Sequence, residues 1–355
     1  MRFNRQPGNM LFTLAEDLVV NGQVLHRAGE KITMAVAPSD VRTTEDLDTY
    51  LGGYSSNEFC MDLVSKVVLV DKSEGITRDL SKENVYEVVE TAVGALGAIN
   101  QIDIGSSTGS YKTQDQGLAS YIRWDAENEA KFNLRASVAT MLLEKVNLRR
   151  EVRGWGLLTT LGSWNSANRT SLGASTYWDN GASRDPLANL RTRIIASLAP
   201  VTDIWMNPEV AGWFLQDTKV VAFMRQMLGD TAPNPAVAQA AAASQQRQQF
   251  TIPGFPPFTI VPCRRTNAST GAMEYILADD VVLTCSPPGV PRDGNKMATS
   301  YSFRQKGPSG TGIVNNEYVP QDKGLYKGIM LETGFSEDLK IMSSTAGGLI
   351  KDVLS

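Results

Sequence analysis

With 355 residues, 42% of them apolar, the chain is long enough for one large domain or two modest ones around a real core, and it is not a disordered tail. Its net charge of −4 argues against a dedicated nucleic-acid binder, whose basic domain would neutralise phosphates. His26 is the only histidine, which removes most ways of building a transition-metal site or a general acid or base poised near neutrality and so weighs against an enzyme.

Residues 1–12, MRFNRQPGNMLF, carry two arginines but neither the apolar run nor the small-residue cleavage site of a secretory signal, so synthesis in a cytoplasm is expected. No stretch approaches the roughly 20 consecutive apolar residues that span a bilayer. Up to residue 65 the apolar stretches are short, such as Val19-Val20 and Ile32–Val36, and glycines interrupt them. The expectation is an irregular arm with some strand and a short helix near Asp46–Leu51. From Lys66 to Arg123 the sequence is rich in strand and turn signals. Val67–Val70 predicts a strand, Ser73–Asn84 is polar and charged, and Gly105–Ser110 predicts a loop. Such a segment lacks the makings of a core and predicts an extension that packs against a neighbour.

The strongest helix is predicted over Asp125–Arg150, where Phe132, Ala136, Ala139, Leu143 and Val146 recur at spacings of four and three. Leu134, Val138, Met141, Leu142 and Leu148 widen that stripe. Acidic residues lie in its first turns and Lys145, Arg149 and Arg150 in its last, with Gly154 and Gly156 as the expected stop. At 1.5 Å per residue it would measure about 39 Å. Asp185-Pro186 and Asn207-Pro208 each place a capping side chain before a proline, marking two further helix starts. Leu187, Leu190, Ile194 and Leu198 make the first amphipathic. Val210, Trp213 and Phe214 share a side of the second, and Val220, Phe223, Met224 and Met227 continue in a third after Asp217. Asp203–Met206 predicts a short buried strand between them.

Thr231–Gln249, TAPNPAVAQAAAASQQRQQ, is a low-complexity stretch that predicts a mobile loop. Strands follow near Phe258–Val261, Tyr275–Cys285, Tyr301–Gln305, Gly312–Tyr318 and Tyr326–Thr333. Helices early and strands late indicate an α+β protein.

Candidate chemistry is thin. Gly105–Gly109 matches the G-x-S-x-G elbow around Ser107, but that arrangement needs a histidine after the serine and a helix start, and neither follows. Lys112-Thr113 lacks the glycine that a phosphate loop places directly before its lysine. Asp279-Asp280 and Glu332 could supply paired carboxylates but are expected to be solvated surface. Cys60, Cys263 and Cys285 follow no metal or redox spacing and predict buried, inert thiols. Of Trp164, Trp178, Trp205 and Trp213, the last two are expected in a core rather than on a ligand platform. No catalytic, cofactor-binding or metal-ligating residue is assigned.

Several blocks taken in order resemble the major capsid proteins of tailed bacteriophages, which have the Hong Kong 97 fold. They are Lys66-Val-Val-Leu-Val-Asp-Lys72, Tyr111–Asn133, Asn147-Leu-Arg-Arg-Glu-Val152, Tyr177-Trp-Asp-Asn180 with Arg184-Asp-Pro186, Ile204-Trp-Met-Asn-Pro-Glu-Val210, and Val282-Leu283 with Pro287-Pro288. The resemblance implies an N-terminal arm (1–65), an extended β-loop (66–120), a peripheral domain around a spine helix (121–200), an axial domain (201–325) and a C-terminal return to the peripheral domain (326–355). It further implies a non-enzymatic subunit that self-assembles as hexamers and pentamers into an icosahedral shell around double-stranded DNA. Arm and extended loop would tie neighbouring capsomers together, with portal, scaffolding or decoration proteins as further partners. DNA would be met non-specifically at the inner face, and neither a membrane nor a cofactor is involved. Assembly would take place in the bacterial host cytoplasm and end in the virion. An encapsulin-like nanocompartment shell shares the fold and is the nearest alternative; a carboxylate-based soluble hydrolase is the alternative of another class.

Overall fold

The computed structural model describes residues 58–79, 107–130, 133–228, 246–267, 269–286, 297–307, 312–320 and 328–355, together with short strands before residue 34. Those strands are β1 (Phe3–Arg5), β2 (Leu11–Leu14), β3 (Leu18–Val20), β4 (Gln23–His26) and β5 (Lys31–Thr33). β2 pairs antiparallel with both β1 and β5, and β3 and β4 form a hairpin. There follow α1 (Met61–Val64), β6 (Lys66–Val70), β7 (Glu74–Asp79), β8 (Ser107–Lys112), β9 (Gln114–Arg123), α2 (Trp124–Glu129), α3 (Leu134–Leu158) and β10 (Arg169–Ser171). Then come α4 (Pro186–Ala196), β11 (Asp203–Met206), α5 (Pro208–Gln216), α6 (Thr218–Leu228), β12 (Gln248–Phe250), β13 (Phe258–Ile260), β14 (Arg264–Thr266) and β15 (Met273–Tyr275). The last strands are β16 (Val281–Thr284), β17 (Ser300–Gln305), β18 (Val314–Tyr318), β19 (Gly328–Ile341) and β20 (Gly347–Lys351). The chain divides into two units, the first holding Met1–Ser55, Gln114–Asn147 and Arg304–Glu337, and the second Ser56–Thr113, Leu148–Phe303 and Asp338–Ser355.

In the first unit β19 lies between β9 and β18, both antiparallel to it, in register from Gly328↔Arg123 to Glu337↔Gln114 and from Val314↔Gly334 to Tyr318↔Met330. Ile122 and Leu331 from this sheet form one buried cluster with Ala136, Ala139, Leu142 and Leu143 of α3. The alanines in that stripe let the helix approach the strands closely. Arg135 ties the unit together, since its guanidinium bonds Glu127 of α2 and, at 2.8 Å, Glu317 of β18.

The second unit is built on a six-stranded mixed sheet in the order β10-β20-β16-β11-β13-β12. Its central strands read as continuous apolar runs because both faces are covered. Ile204 and Met206, Val281 and Leu283, and Ile350 join a cluster with Leu187, Leu190, Val210, Phe214, Val220 and Met224 from α4, α5 and α6. The alternate residues Trp205, Val282 and Leu349 join a second cluster with Trp155 and Leu158 from the end of α3 and with Met61 and Val64 of α1. The two-residue period of a strand thus feeds two cores at once. Aromatic rings fill the first, with Phe250 stacked on Phe258 at 4.8 Å and Phe214 at 5.2 Å from the same ring.

The proline-marked helix starts are as expected. Asp185 Oδ1 accepts from Ala188 N at 3.0 Å, and Asn207 Oδ1 accepts from Val210 N at 2.7 Å. Asn207 is also buried and donates through Nδ2 to the Ala278 carbonyl at 2.7 Å. Asn207→Ala therefore removes a cap and leaves the buried Val210 N–H without its acceptor, an expected cost of about 2 kcal/mol, against about 1 kcal/mol for the more exposed Asp185→Ala. Urea denaturation measures both; equal losses would remove the special weight given to Asn207.

Other expectations are corrected. The helix predicted from Asp125 to Arg150 is two helices, because Ala130 is extended (φ −67°, ψ 130°) and α3 starts only at Leu134. Gly154 and Gly156 do not stop α3, which runs to Leu158. Met61 packs where a Gly154 side chain would stand, and the buried Trp155 and Leu158 anchor the last turns, so packing overrides the low helix propensity of glycine. Trp213 is 42% exposed, because α5 buries the stripe Val210, Ala211, Phe214 and Leu215, and Trp213 falls outside it. Met227 is likewise exposed. The run Tyr275–Cys285 is divided between β15 and β16, whereas β19 extends to Ile341. Gln248 and Gln249 belong to a strand; the rest of the low-complexity stretch up to residue 245, the helix expected near Asp46–Leu51 and Phe132 lie outside the described residues. Among the described residues, no helix is long and apolar enough to cross a membrane.

Candidate functional site

Among the described residues β7 and β8 pair only with each other, in register from Glu74↔Lys112 to Asp79↔Ser107. Gly105–Ser110, expected as loop, thus contributes Ser107–Ser110 to a strand of this ribbon. A two-stranded ribbon satisfies its inner backbone groups by pairing and needs no apolar face, so a polar sequence gives no alternation to read.

The root of the ribbon is held from several sides. Gly75 lies opposite Tyr111, and the Tyr111 ring sits where a side chain on residue 75 would be, 2.5 Å from the place of a Cβ. The same ring stacks on Phe303 at 4.7 Å with 9° between the planes. Phe303 belongs to a buried cluster with Val68, Ala298, Tyr301 and Met342. Asp338 Oδ2 accepts from Lys112 N at 3.0 Å, and Lys340 Nζ reaches the Ser110 carbonyl at 3.2 Å and Thr77 Oγ1 at 3.4 Å. Thr113 N donates to the Ser73 carbonyl at 2.8 Å. The Lys112–Glu74 ion pair at 2.6 Å raises the Lys112 pKa but is solvent-exposed and adds little stability. Ile76, on the ribbon, is 76% exposed.

A second constellation fixes the point at which the chain enters the second unit. Glu151 of α3 is buried, and its Oε1 accepts from the backbone of Cys60 at 2.8 Å and of Met61 at 2.6 Å while Oε2 accepts from the Trp155 indole at 2.9 Å. Arg150 bonds Asp62 at 2.6 Å. Burial pushes the Glu151 carboxyl up to about 7, against the opposing pull of the three N–H donors and the Arg150 charge. Burial, reinforced by the Glu151 charge, pushes the Cys60 thiol well up and Cys263 to about 12. Cys285 is raised by burial too, so all three thiols are buried, free and poor nucleophiles.

The residues weighed for chemistry are dispersed. Ser107 begins a strand rather than a strand-to-helix turn, and Lys112 and Thr113 serve the ribbon root. Asp279 and Asp280 are joined by Asp352, with carboxylate oxygens within 4.8 Å of one another. Asp280 is buried, correcting the surface expectation, and its Oδ1 accepts from Asp352 N at 3.0 Å while Lys351 stands 3.7 Å from Oδ2. Burial, then the neighbouring carboxylates, raises its pKa, against the pull of that N–H and of Lys351. Asp352 adopts the left-handed backbone (φ 56°) that aims its N–H at Asp280. Glu332 belongs to the other unit and accepts from the Tyr318 hydroxyl at 2.9 Å. Trp164, Trp178 and Trp205 are buried in the cores. Sequence reasoning missed Gly75, Asp338, Lys340 and Glu151; the glycine facing an aromatic residue across a ribbon was the one available signal.

No protein-family model matches the chain, and neither does any curated protein. Among solved structures, a phage-related protein of Bordetella bronchiseptica RB50 superposes with a TM-score of 0.63 at 13% identity, covering 86% of this chain and 96% of that one. A prophage protein of E. coli CFT073 assigned as a capsid protein does so with a TM-score of 0.54 at 12% identity, covering 88% of this chain and 99% of that one. Over most of its length, this chain therefore has the α+β fold of a phage capsid subunit.

Proposed function

We propose that this chain is the major capsid protein of a tailed bacteriophage, a structural subunit that assembles with copies of itself into an icosahedral shell around double-stranded DNA and catalyses no reaction. The observation that carries this reading is the fold shared over 88% of the chain with the E. coli prophage protein assigned as a capsid protein. The β7–β8 ribbon, which among the described residues pairs with no other strand and bears the exposed Ile76, supports it, because its open edges and that apolar side chain are free to engage a neighbour.

In this reading residues 1–65 form an arm, 66–120 an extended loop, 121–200 a peripheral domain, 201–325 an axial domain and 326–355 a return to the peripheral domain. Hexamers and pentamers use the same surfaces at slightly different angles, and arm and loop lie across neighbouring capsomers. Many modest contacts repeated around a closed shell give large avidity without tight pairwise binding. A net charge of −4 suits a container whose DNA is held loosely at the inner face. The finished protein resides in the virion, after assembly in the host cytoplasm and contact there with portal, scaffolding or decoration proteins.

Negative-stain electron microscopy with size-exclusion light scattering on the protein expressed alone tests the proposal. Closed shells, tubes or free pentamers and hexamers are expected. A homogeneous monomer that never assembles across salt and crowding conditions would refute self-assembly and bring the carboxylate hydrolase forward.

A further inference from the structure

We propose that the contacts at the root of the β7–β8 ribbon form a latch, with Tyr111, Asp338 and Lys340 as positioning residues, that sets the ribbon's direction in the free subunit before any neighbour binds. A lone two-stranded ribbon is marginally stable and free to swing about its base. At about 3.4 Å per residue the paired part is roughly 20 Å long, so a swing of about 15° at the base moves its far end by about 5 Å.

The latch opposes that swing in more than one direction. Asp338 and Lys340 are two apart on β19 and so present their side chains on one face. One accepts from the Lys112 N–H and the other donates to the Ser110 carbonyl, groups two residues apart that project from the same edge of β8. Lys340 also reaches Thr77 and so grips both strands. Tyr111 adds a flat contact, its ring lying over Gly75 and stacked on Phe303, which is itself 2% exposed. Any side chain at residue 75 displaces that ring. Backbone bonds resist sliding of the ribbon, and the stack resists tilting.

The consequence for assembly rests on the capsid reading: a preset ribbon fixes the angle at which a neighbour is engaged, and with it the curvature of the shell. The latch itself does not depend on that reading.

The test is a pulsed-EPR distance measurement on the full chain carrying spin labels at Ile76→Cys and Ile195→Cys, the two most exposed large apolar side chains among the described residues, diluted into unlabelled chain so that only distances within one molecule are read. The native thiols are buried. The parent should give a single narrow distance peak. Lys340→Ala and Tyr111→Ala should lose that peak with little change in thermal midpoint, and Lys340→Arg, which retains a long cationic donor, should restore it. A narrow peak that survives both alanine variants, or a parent that is already broad, overturns the latch. Shells of the alanine variants should spread in diameter; uniform shells of parental size overturn the role in curvature. Failure of the parent to assemble at all removes the capsid reading, while the distances still judge the latch.

Discussion

Replacing Glu151 with alanine is expected to cost about 3–5 kcal/mol of unfolding free energy, among the largest single-residue losses in the second unit. Cys60 N, Met61 N and the Trp155 indole all donate to this one buried carboxyl group, and alanine would leave three buried donors without that acceptor. The group also makes stability depend on pH. Its carboxyl is raised in the folded protein from 4.5 to about 7, chiefly by burial, so the protonated form is the one that folding favours. Its contribution is fully present below pH 4.5 and is lost as pH rises through 7. A span of about 2.5 pH units at 1.36 kcal/mol each amounts to about 3 kcal/mol. Glu151→Gln, which cannot ionise, should flatten that part of the profile. Urea midpoints of parent and variant between pH 4 and 8 provide the comparison; parallel profiles would show that the three N–H donors, not burial, govern the charge of this group.

The parts of this fold that were legible in the sequence are those where one local rule acts alone. Asp185-Pro186 and Asn207-Pro208 marked helix starts because a cap is made by the residues beside it. Asp203–Met206 was legible because a strand covered on both faces is apolar where it is buried, as Ile204-Trp205-Met206 are. The readings that failed are those decided by distant residues. Gly154 has a low helix propensity, yet Met61, 93 positions earlier in the chain, fills the space beside it. Trp213 looked like core because tryptophan is large and apolar, whereas the stripe of α5 is set by Phe214 and Leu215 against Phe258 and its neighbours. The ribbon was legible only in outline: strand and turn signals over Lys66–Arg123 predicted an extension, but Glu74–Asp79 and Ser107–Lys112 have no alternating pattern, and their bounds follow from pairing with each other.

Charge shows the same division. A formal net charge of −4 was read correctly from composition, but only the structure reveals how cations are used. Arg135 is spent on Glu127 and Glu317, Arg304 on Glu337, Arg184 on Asp217 and Arg150 on Asp62. Cations committed in this way hold together the unit to which each belongs.

The second large effect is expected at Gly334, where β19 passes Gly117 of β9 in direct register. A side chain on residue 334 would run into the Gln116 carbonyl oxygen and stand 2.6 Å from the Gly117 Cα, and these are backbone atoms that no rotamer change can move aside. Gly334→Ala must therefore force β9 away from β19 and break the ladder between them, an expected loss of about 3 kcal/mol or more. Gly156→Ala is the matched control. Residue 156 is helical with nothing within 4 Å of its place for a Cβ, so alanine should stabilise by about 0.5–1 kcal/mol through helix propensity and reduced entropy of the unfolded chain. Hydrogen exchange distinguishes the two: Gly334→Ala should strip protection from Gln114–Arg123 and from the paired half of β19 while the six-stranded sheet of the second unit stays protected. If that variant keeps full protection across β9, the strands have room to shift, and the paired glycines would not be what brings them so close. Loss of protection across the whole chain would instead mean that the first unit's sheet is required for the second to fold, and that the two form a single cooperative structure.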